Sequence, residues 1–288
     1  MAFPQNPAHL ILVPGLKCTL SCPHCVNASN PFQTGQYSPE EIERLVEGAN
    51  QLRPPMIVLT GGEPTLYTDL YESILSRLDY KFEVTLTTNG YFAYTKELVE
   101  KQLGKIRNLT VVQLSFDEFH SSKLDDERPL HLRDYCAERG IHFSIICCLA
   151  SPMDLLFAAE AEERFGVPVT IQKIEGSGKA SETKVEFQYP KFEETVLNMK
   201  CPNSTTVSNI KGKGFTVCCS NVIFNTDSMK YSARNVDELR NNEFCREVTE
   251  MTFLERMEKY GIDSKTLPAR FSSPCNLCEH ITLKAASY

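Results

Sequence analysis

Between residues 9 and 180 of this 288-residue chain, short apolar runs alternate with longer amphipathic segments, and that rhythm constrains the fold more than any other feature. The pattern predicts strands over residues 9–13, 56–60, 82–87, 109–114, 142–149 and 167–174. Between them it predicts helices over 39–52, 69–78, 96–106, 130–139 and 153–165. Ser38 reads as the cap of the first helix, with Glu41 three residues on as its capping-box partner. Six strands alternating with five helices imply a parallel sheet with helical crossovers. Pattern alone leaves open sheet and partial barrel both available. In either, the loops at the C-terminal ends of the strands usually carry the active site.

The rhythm breaks after Ala180. Residues 181–200 are mixed and charged and end in a possible helix. Beyond Cys201 the chain is punctuated by glycine and cysteine, with strand candidates at 215–218 and 221–224 and helices at 235–244 and 252–260. The expected organisation is therefore a core domain, residues 1–180, and a small cysteine-rich domain, residues 181–288. The second buries little apolar surface, so a metal would help it fold.

Composition narrows the class. Hydrophobic residues make up 42% and charged residues 23%, ordinary for a soluble globular chain. A net charge of −7 without any basic run argues against nonspecific nucleic-acid binding. Residues 1–8 do not read as a signal peptide, and no apolar run is long enough to cross a membrane. The expected compartment is the cytoplasm, where thiols stay reduced. There, clustered cysteines bind metal more often than they pair.

Twelve cysteines are present, and two groups stand out. Cys18, Cys22 and Cys25 have the spacing C-x3-C-x2-C directly after the first strand. Three thiolates this close wrap one corner of an iron–sulfur cube. Four are the usual complement, so one iron stays open to another ligand. The alternative is a zinc site completed by His24, which would make the chain a non-enzymatic zinc-binding protein.

In this arrangement the sequence resembles the radical S-adenosylmethionine (SAM) superfamily. The resemblance implies a partial (β/α)6 TIM-like barrel. It also implies that SAM binds the open iron of a 4Fe–4S cluster and is reductively cleaved to a 5′-deoxyadenosyl radical that abstracts hydrogen. Further segments extend the likeness. Thr60-Gly61-Gly62-Glu63-Pro64 after the second strand resembles the family's GGE motif, implying that Gly61, Gly62 and Glu63 meet the amino group of SAM. Thr88-Asn89-Gly90 resembles its TNG segment. Ser115 and Asp117 stand at a strand end where members contact SAM ribose or substrate. Gly176-Ser177-Gly178-Lys179-Ala180 resembles a Gly-Arg-Ala segment in which Lys179 replaces the arginine.

Cys201, Gly214 and Cys219, followed by the C-x2-C pair Cys275 and Cys278, resemble the auxiliary-cluster region of the SPASM/twitch subgroup. The resemblance implies that Cys201, Cys219, Cys275 and Cys278 hold a second, coordinatively saturated 4Fe–4S cluster. Zinc on four cysteines is the alternative, and Cys218 competes with Cys219 as the ligand. In a strand those two neighbours would point to opposite faces. Cys245 reads either as a buried apolar thiol or, by analogy with radical SAM epimerases, as the catalytic hydrogen-atom donor. Cys136, Cys147 and Cys148 read as core. His120 reads as a strand-end residue facing substrate or solvent.

The implied reaction is hydrogen abstraction from an unactivated C–H, ending in dehydrogenation or epimerisation, with electrons from an external donor such as flavodoxin or ferredoxin. Twitch relatives act on carbohydrate-like alcohols; SPASM relatives modify ribosomal peptides or proteins by cross-linking, epimerisation or oxidation. Peptide-modifying members often carry an N-terminal leader-binding module. Only eight residues precede the first strand here, which tilts the expectation toward a small molecule, or a peptide recognised without such a module.

Overall fold

The computed structural model describes residues 6–226, 229–265 and 267–286; residues 1–5 and 287–288, the outer ends of the two expected domains, lie outside the described residues. One eight-stranded sheet organises the chain, in the order β6-β5-β4-β3-β2-β1-β7-β8. Strands β1 (His9–Val13), β2 (Met56–Leu59), β3 (Glu83–Thr88), β4 (Leu109–Ser115), β5 (His142–Leu149) and β6 (Val169–Lys173) pair in parallel. This is the α/β architecture of a partial barrel. The six strands fall where the apolar runs place them; β5, buried along most of its length, reads as the continuous hydrophobic stretch of a strand covered on both faces, whereas the edge strand β6 is largely exposed.

The crossovers are α1 (Pro39–Leu52), α2 (Thr68–Leu75), α3 (Lys96–Leu103), a four-residue turn α4 (Glu118–Ser121), α5 (Glu127–Arg139) and α6 (Leu155–Phe165). The Ser38–Glu41 capping box forms as the sequence predicts, and α1 buries Leu45, Val46, Ala49 and Leu52 against the sheet. Such a cap contributes roughly 1 kcal/mol; each buried leucine contributes more. The main core lies between this helical layer and the strands.

Past Ala180 the structure departs from the pattern in several places. A short helix α7 (Lys179–Thr183) follows β6, and the possible helix before residue 200 is a single 3-10 turn, Glu194–Asn198. Residues Thr206–Ile210 form β7, unseen in the sequence, which pairs in parallel with β1. Strand β8 (Gly214–Thr216) returns antiparallel. The apolar run expected as a strand at 221–224 is instead helix α8 (Asn221–Asn225), since so short a run fits either structure. The helix expected at 235–244 breaks at Asn242 into α9 (Val236–Asn241) and α10 (Glu243–Glu250), because Asn242 caps the second piece. Then come α11 (Phe253–Lys259) and α12 (Pro274–Ala285). Val207, Phe215 and Ile223 join the main core, while Val196, Phe253, Met257, Leu277 and Ile281 form a second, small one. No helix among the described residues is long and apolar enough to cross a membrane.

Candidate active site

Loops from five strand ends converge on the first cysteine segment. From the β2 side, Gly62 N donates to Gly15 O at 3.0 Å and Glu63 N to Lys17 O at 2.9 Å, while Asn27 Nδ2 donates to Gly61 O at 2.9 Å. A side chain at Gly62 would put a Cβ 1.9 Å from Lys17 O, so only glycine lets these two backbones touch. From the β6 side, Lys179 N donates to Cys25 O at 2.9 Å, Ser177 Oγ to Val26 O at 3.3 Å and Thr183 Oγ1 to Pro23 O at 2.7 Å. Lys179, in the arginine's place, turns its ammonium to Glu182.

Each of the three half-buried thiols has a polar neighbour. Cys18 Sγ accepts from Leu20 N at 3.4 Å and Asn89 Nδ2 at 3.3 Å. Cys25 Sγ accepts from Ser29 N at 3.4 Å, and Cys22 Sγ lies 3.6 Å from His120 Nε2. Burial pushes the Cys18 thiol up to about 12 and raises Cys25 as well. An iron-bound sulfur must be a thiolate, so metal binding here displaces protons.

Glu63 has no exposed surface and straps two loops together. Its Oε1 accepts from Thr65 N, Thr65 Oγ1 and Thr88 Oγ1, and its Oε2 from Asn89 N at 3.0 Å. Oε1 thus accepts three bonds and Oε2 one, which leaves Oε2 the less saturated oxygen. Burial raises the Glu63 carboxyl against the pull of these bonds. Asn89 Nδ2 also donates to Thr19 Oγ1 at 3.1 Å, and Ser115 ends β4 half-buried.

Asp117, fully buried, caps α4. Its Oδ1 accepts from Phe119 N at 3.0 Å, His120 N at 3.1 Å and His120 Nδ1 at 2.8 Å. Its Oδ2 sits 3.4 Å from His24 Nε2, an ion-pair distance without hydrogen-bond geometry, and is otherwise unpartnered. Burial opposes ionisation of Asp117, but His120 and His24 outweigh it and hold the carboxyl well below the usual range. Burial likewise pulls His120 down, but Asp117 and Cys22 overcome it and push the imidazole up to about 10.

The second cysteine group surrounds a small pocket lined by Cys201, Cys218, Cys219, Cys275 and Cys278. Cys275 and Cys278, three residues apart near the start of α12, lie on one face of it. Strand β8 stops at Thr216, so strand alternation no longer governs Cys218 and Cys219, and both reach the pocket. Asn203 Nδ2 donates to Cys219 Sγ at 2.9 Å, and Arg256 Nη1 to Cys278 Sγ at 3.1 Å. Burial pushes Cys201 up to about 12 and Cys219 to about 11. Cys245 is not in this pocket: it is fully buried on α10, in the main core.

The donor spacing tests zinc against a larger cluster. Sulfurs bound at about 2.3 Å around one tetrahedral zinc lie roughly 4 Å apart. Among the described residues, the one trio of His, Cys, Asp or Glu ligand atoms within 4.8 Å of one another is His24, Asp117 and Cys148. Neither cysteine group is drawn in that tightly. Both donor sets are all-sulfur, the ligand chemistry an iron–sulfur cluster takes.

A family model described as "Radical SAM superfamily" matches residues 12–156, half of the chain. The chain belongs to the radical SAM superfamily. Membership implies a 4Fe–4S cluster and S-adenosylmethionine. The radical SAM chain is 27% identical over 282 residues to the "Putative peptide biosynthesis protein YydG" of Bacillus subtilis, covering 91% of this chain and 88% of that protein. It is 38% identical over 92 residues to a "Probable GTP 3′,8-cyclase" of Pyrococcus abyssi, which covers 31% of this chain and 30% of the cyclase. Two solved structures share its fold. "Native anSMEcpe with bound AdoMet and Cp18Cys peptide" has TM-score 0.52 at 15% identity and covers 97% of this chain and 96% of its own. "BtrN in complex with AdoMet and 2-DOIA" has TM-score 0.51 at 15% identity, covering 87% and 89%.

Sequence reasoning missed Asn203 and Arg256 in this radical SAM protein and misplaced His120 and Cys148. Asn203 and Arg256 touch cysteines from loops and helices whose proximity no spacing reveals. Arg256 left one trace: it falls on the buried stripe of α11 between Phe253 and Met257, an unusual place for a cation. His120 is buried on Cys22, facing neither solvent nor open space. Cys148, expected in the core, is half-buried beside Asp117.

Proposed function

We propose that the chain is a peptide-modifying radical SAM enzyme with two iron–sulfur clusters. Cys18, Cys22 and Cys25 would hold the SAM-binding cluster. Gly61, Gly62, Glu63, Asn89, Ser115 and Asp117 would contact SAM. Cys201, Cys275, Cys278 and one of Cys218 or Cys219 would hold the auxiliary cluster. When reduced, by a donor such as flavodoxin or ferredoxin, the bound cofactor supplies a 5′-deoxyadenosyl radical that abstracts hydrogen from an unactivated C–H. Dehydrogenation or epimerisation follows.

The observation that carries this reading is the second pocket: five cysteines from three separate segments converge on one space in the same polypeptide. A peptide substrate draws its support from the likeness to YydG, which runs over nine-tenths of this chain and bears a peptide-biosynthesis name. That outweighs the tilt toward a small molecule. The buried position of Cys245 gives it no route to a substrate, which argues against its role as hydrogen donor.

Anaerobically reconstituted protein should carry about eight irons, for two cubes, and form 5′-deoxyadenosine on reduction with SAM. A deuterated synthetic peptide encoded beside its gene should pass deuterium into that product. Mass gain by the peptide in heavy water would mark epimerisation, and loss of two hydrogens dehydrogenation. No 5′-deoxyadenosine would end the radical reading; about four irons would end the two-cluster reading.

A further inference from the structure

Arg256 is 1% exposed and is among the largest fully buried side chains of the described residues. It lies on α11 between Phe253 and Met257, both part of the small C-terminal core. Removing a guanidinium from water costs several kcal/mol unless an anion and hydrogen bonds compensate. Among the described residues no carboxylate pairs with it. Its Nη1 donates to Cys278 Sγ at 3.1 Å and its Nη2 to Thr282 Oγ1 at 3.0 Å, while its buried Nε has no partner. Thr282 is fixed in turn by donating to Cys278 O at 2.7 Å. The cation is thus aimed, through a two-point anchor on α12, at one sulfur of the cysteine pocket.

A neutral thiol would leave that charge uncompensated. A metal-bound thiolate would not. We infer that Arg256 is a positioning residue that raises the reduction potential of the auxiliary cluster held by Cys278. This rests on the two-cluster reading above. Two physical effects act in the same direction. A reduced cube carries one more negative charge than an oxidised one, so a buried cation beside it favours reduction. A hydrogen bond to a ligating sulfur withdraws charge from the iron and does the same. Both are strengthened by the low dielectric around Arg256. Reduction here is the uptake of one electron from an external reductant, with no bond made or broken. Among the described residues no arginine reaches the sulfurs of the first cysteine group, so the effect is specific to one cluster.

The test is a redox titration of reconstituted full-length protein followed by electron paramagnetic resonance, with SAM added to separate the two cluster signals. In R256Q and R256M the auxiliary midpoint should fall, lowering the reduced-to-oxidised ratio at a fixed potential at least tenfold, equivalent to about 59 mV for one electron. R256K, which keeps the charge, should stay within roughly threefold of the parent. The SAM-cluster midpoint should not move in any variant. T282V loosens the anchor and should shift the midpoint in the same direction by less. An auxiliary midpoint unchanged in R256Q or R256M that retain about eight irons would overturn the inference. If the neutral variants lose the second cluster while R256K keeps it at the parent midpoint, charge is again the requirement. Loss in R256K as well would reduce Arg256 to support of the fold and overturn the redox role. A parent protein with about four irons would sink the two-cluster reading itself, a different failure.

Discussion

Asp117 joins three parts of the site that are far apart in sequence. Its carboxylate caps α4 and holds His120, which reaches Cys22 across 98 residues of chain. The raised imidazole keeps protons on both ring nitrogens, so Nε2 can donate to the Cys22 sulfur while Nδ1 donates to Asp117. D117A would remove three hydrogen bonds at once, and a charged N-cap and a charge-assisted bond are each worth roughly 1–3 kcal/mol. Formation of 5′-deoxyadenosine should fall tenfold or more, with a lowered thermal midpoint, and D117N, which keeps an acceptor oxygen, should fall less. An alanine variant with unchanged turnover and midpoint would remove Asp117 from the site. The sequence makes Asp117 visible, because it follows an apolar strand. The fate of His120 is not legible there: one turn of helix, initiated by the Asp117 cap, folds it back onto a residue that local spacing cannot associate with it.

At the scale of elements, the cysteine loop is held by backbones in contact, and glycine is what permits the contact. Gly178 adopts φ +53°, and a Cβ there would sit 2.2 Å from Val26 O, next to Cys25. G178A should therefore lose iron from the first cluster and destabilise the protein by about 1–3 kcal/mol. Gly212 has φ +76° but nothing within 4 Å of its added Cβ. G212A is the matched control, expected to cost only backbone strain and to keep its iron. Iron per chain and thermal midpoints of the two variants compare close approach with dihedral strain directly. Elements with a clear apolar pattern are legible: β1, a continuous apolar run, and α1, an amphipathic helix, lie where the residues predict them. Strand β7 is not, because Ser208 and Asn209 interrupt its apolar run although all five of its residues are buried between β1 and β8. Polar residues buried inside a strand look like loop residues in a sequence.

For the whole molecule, the break after Ala180 is legible as a change of rhythm, but its structural meaning is not. The C-terminal segment adds two strands to the same sheet and then builds a separate small core around α11 and α12. Cys201, Cys218–Cys219 and Cys275–Cys278 come from three stretches of this segment and face one pocket. A cluster there would cross-link them, as a metal does in small domains with few apolar contacts. Chelation of iron after oxidation should therefore strip hydrogen-exchange protection from α11 and α12 while β1 to β5, buried in the main core, keep theirs. The same pocket fixes a pH dependence. Burial pushes Cys201 up to about 12 and Cys219 to about 11, so both are protonated in the iron-free protein at neutral pH. Each ligand releases its proton when iron binds, and mass action then weakens uptake as pH falls. Iron per chain after reconstitution at pH near 6.5 should be lower than at pH near 8.5, the auxiliary signal falling together with that of the first cluster, whose Cys18 is raised as far as Cys201. Equal loading at both, with that signal present, would mean that these thiols are already ionised before iron arrives, and that something other than burial governs their charge.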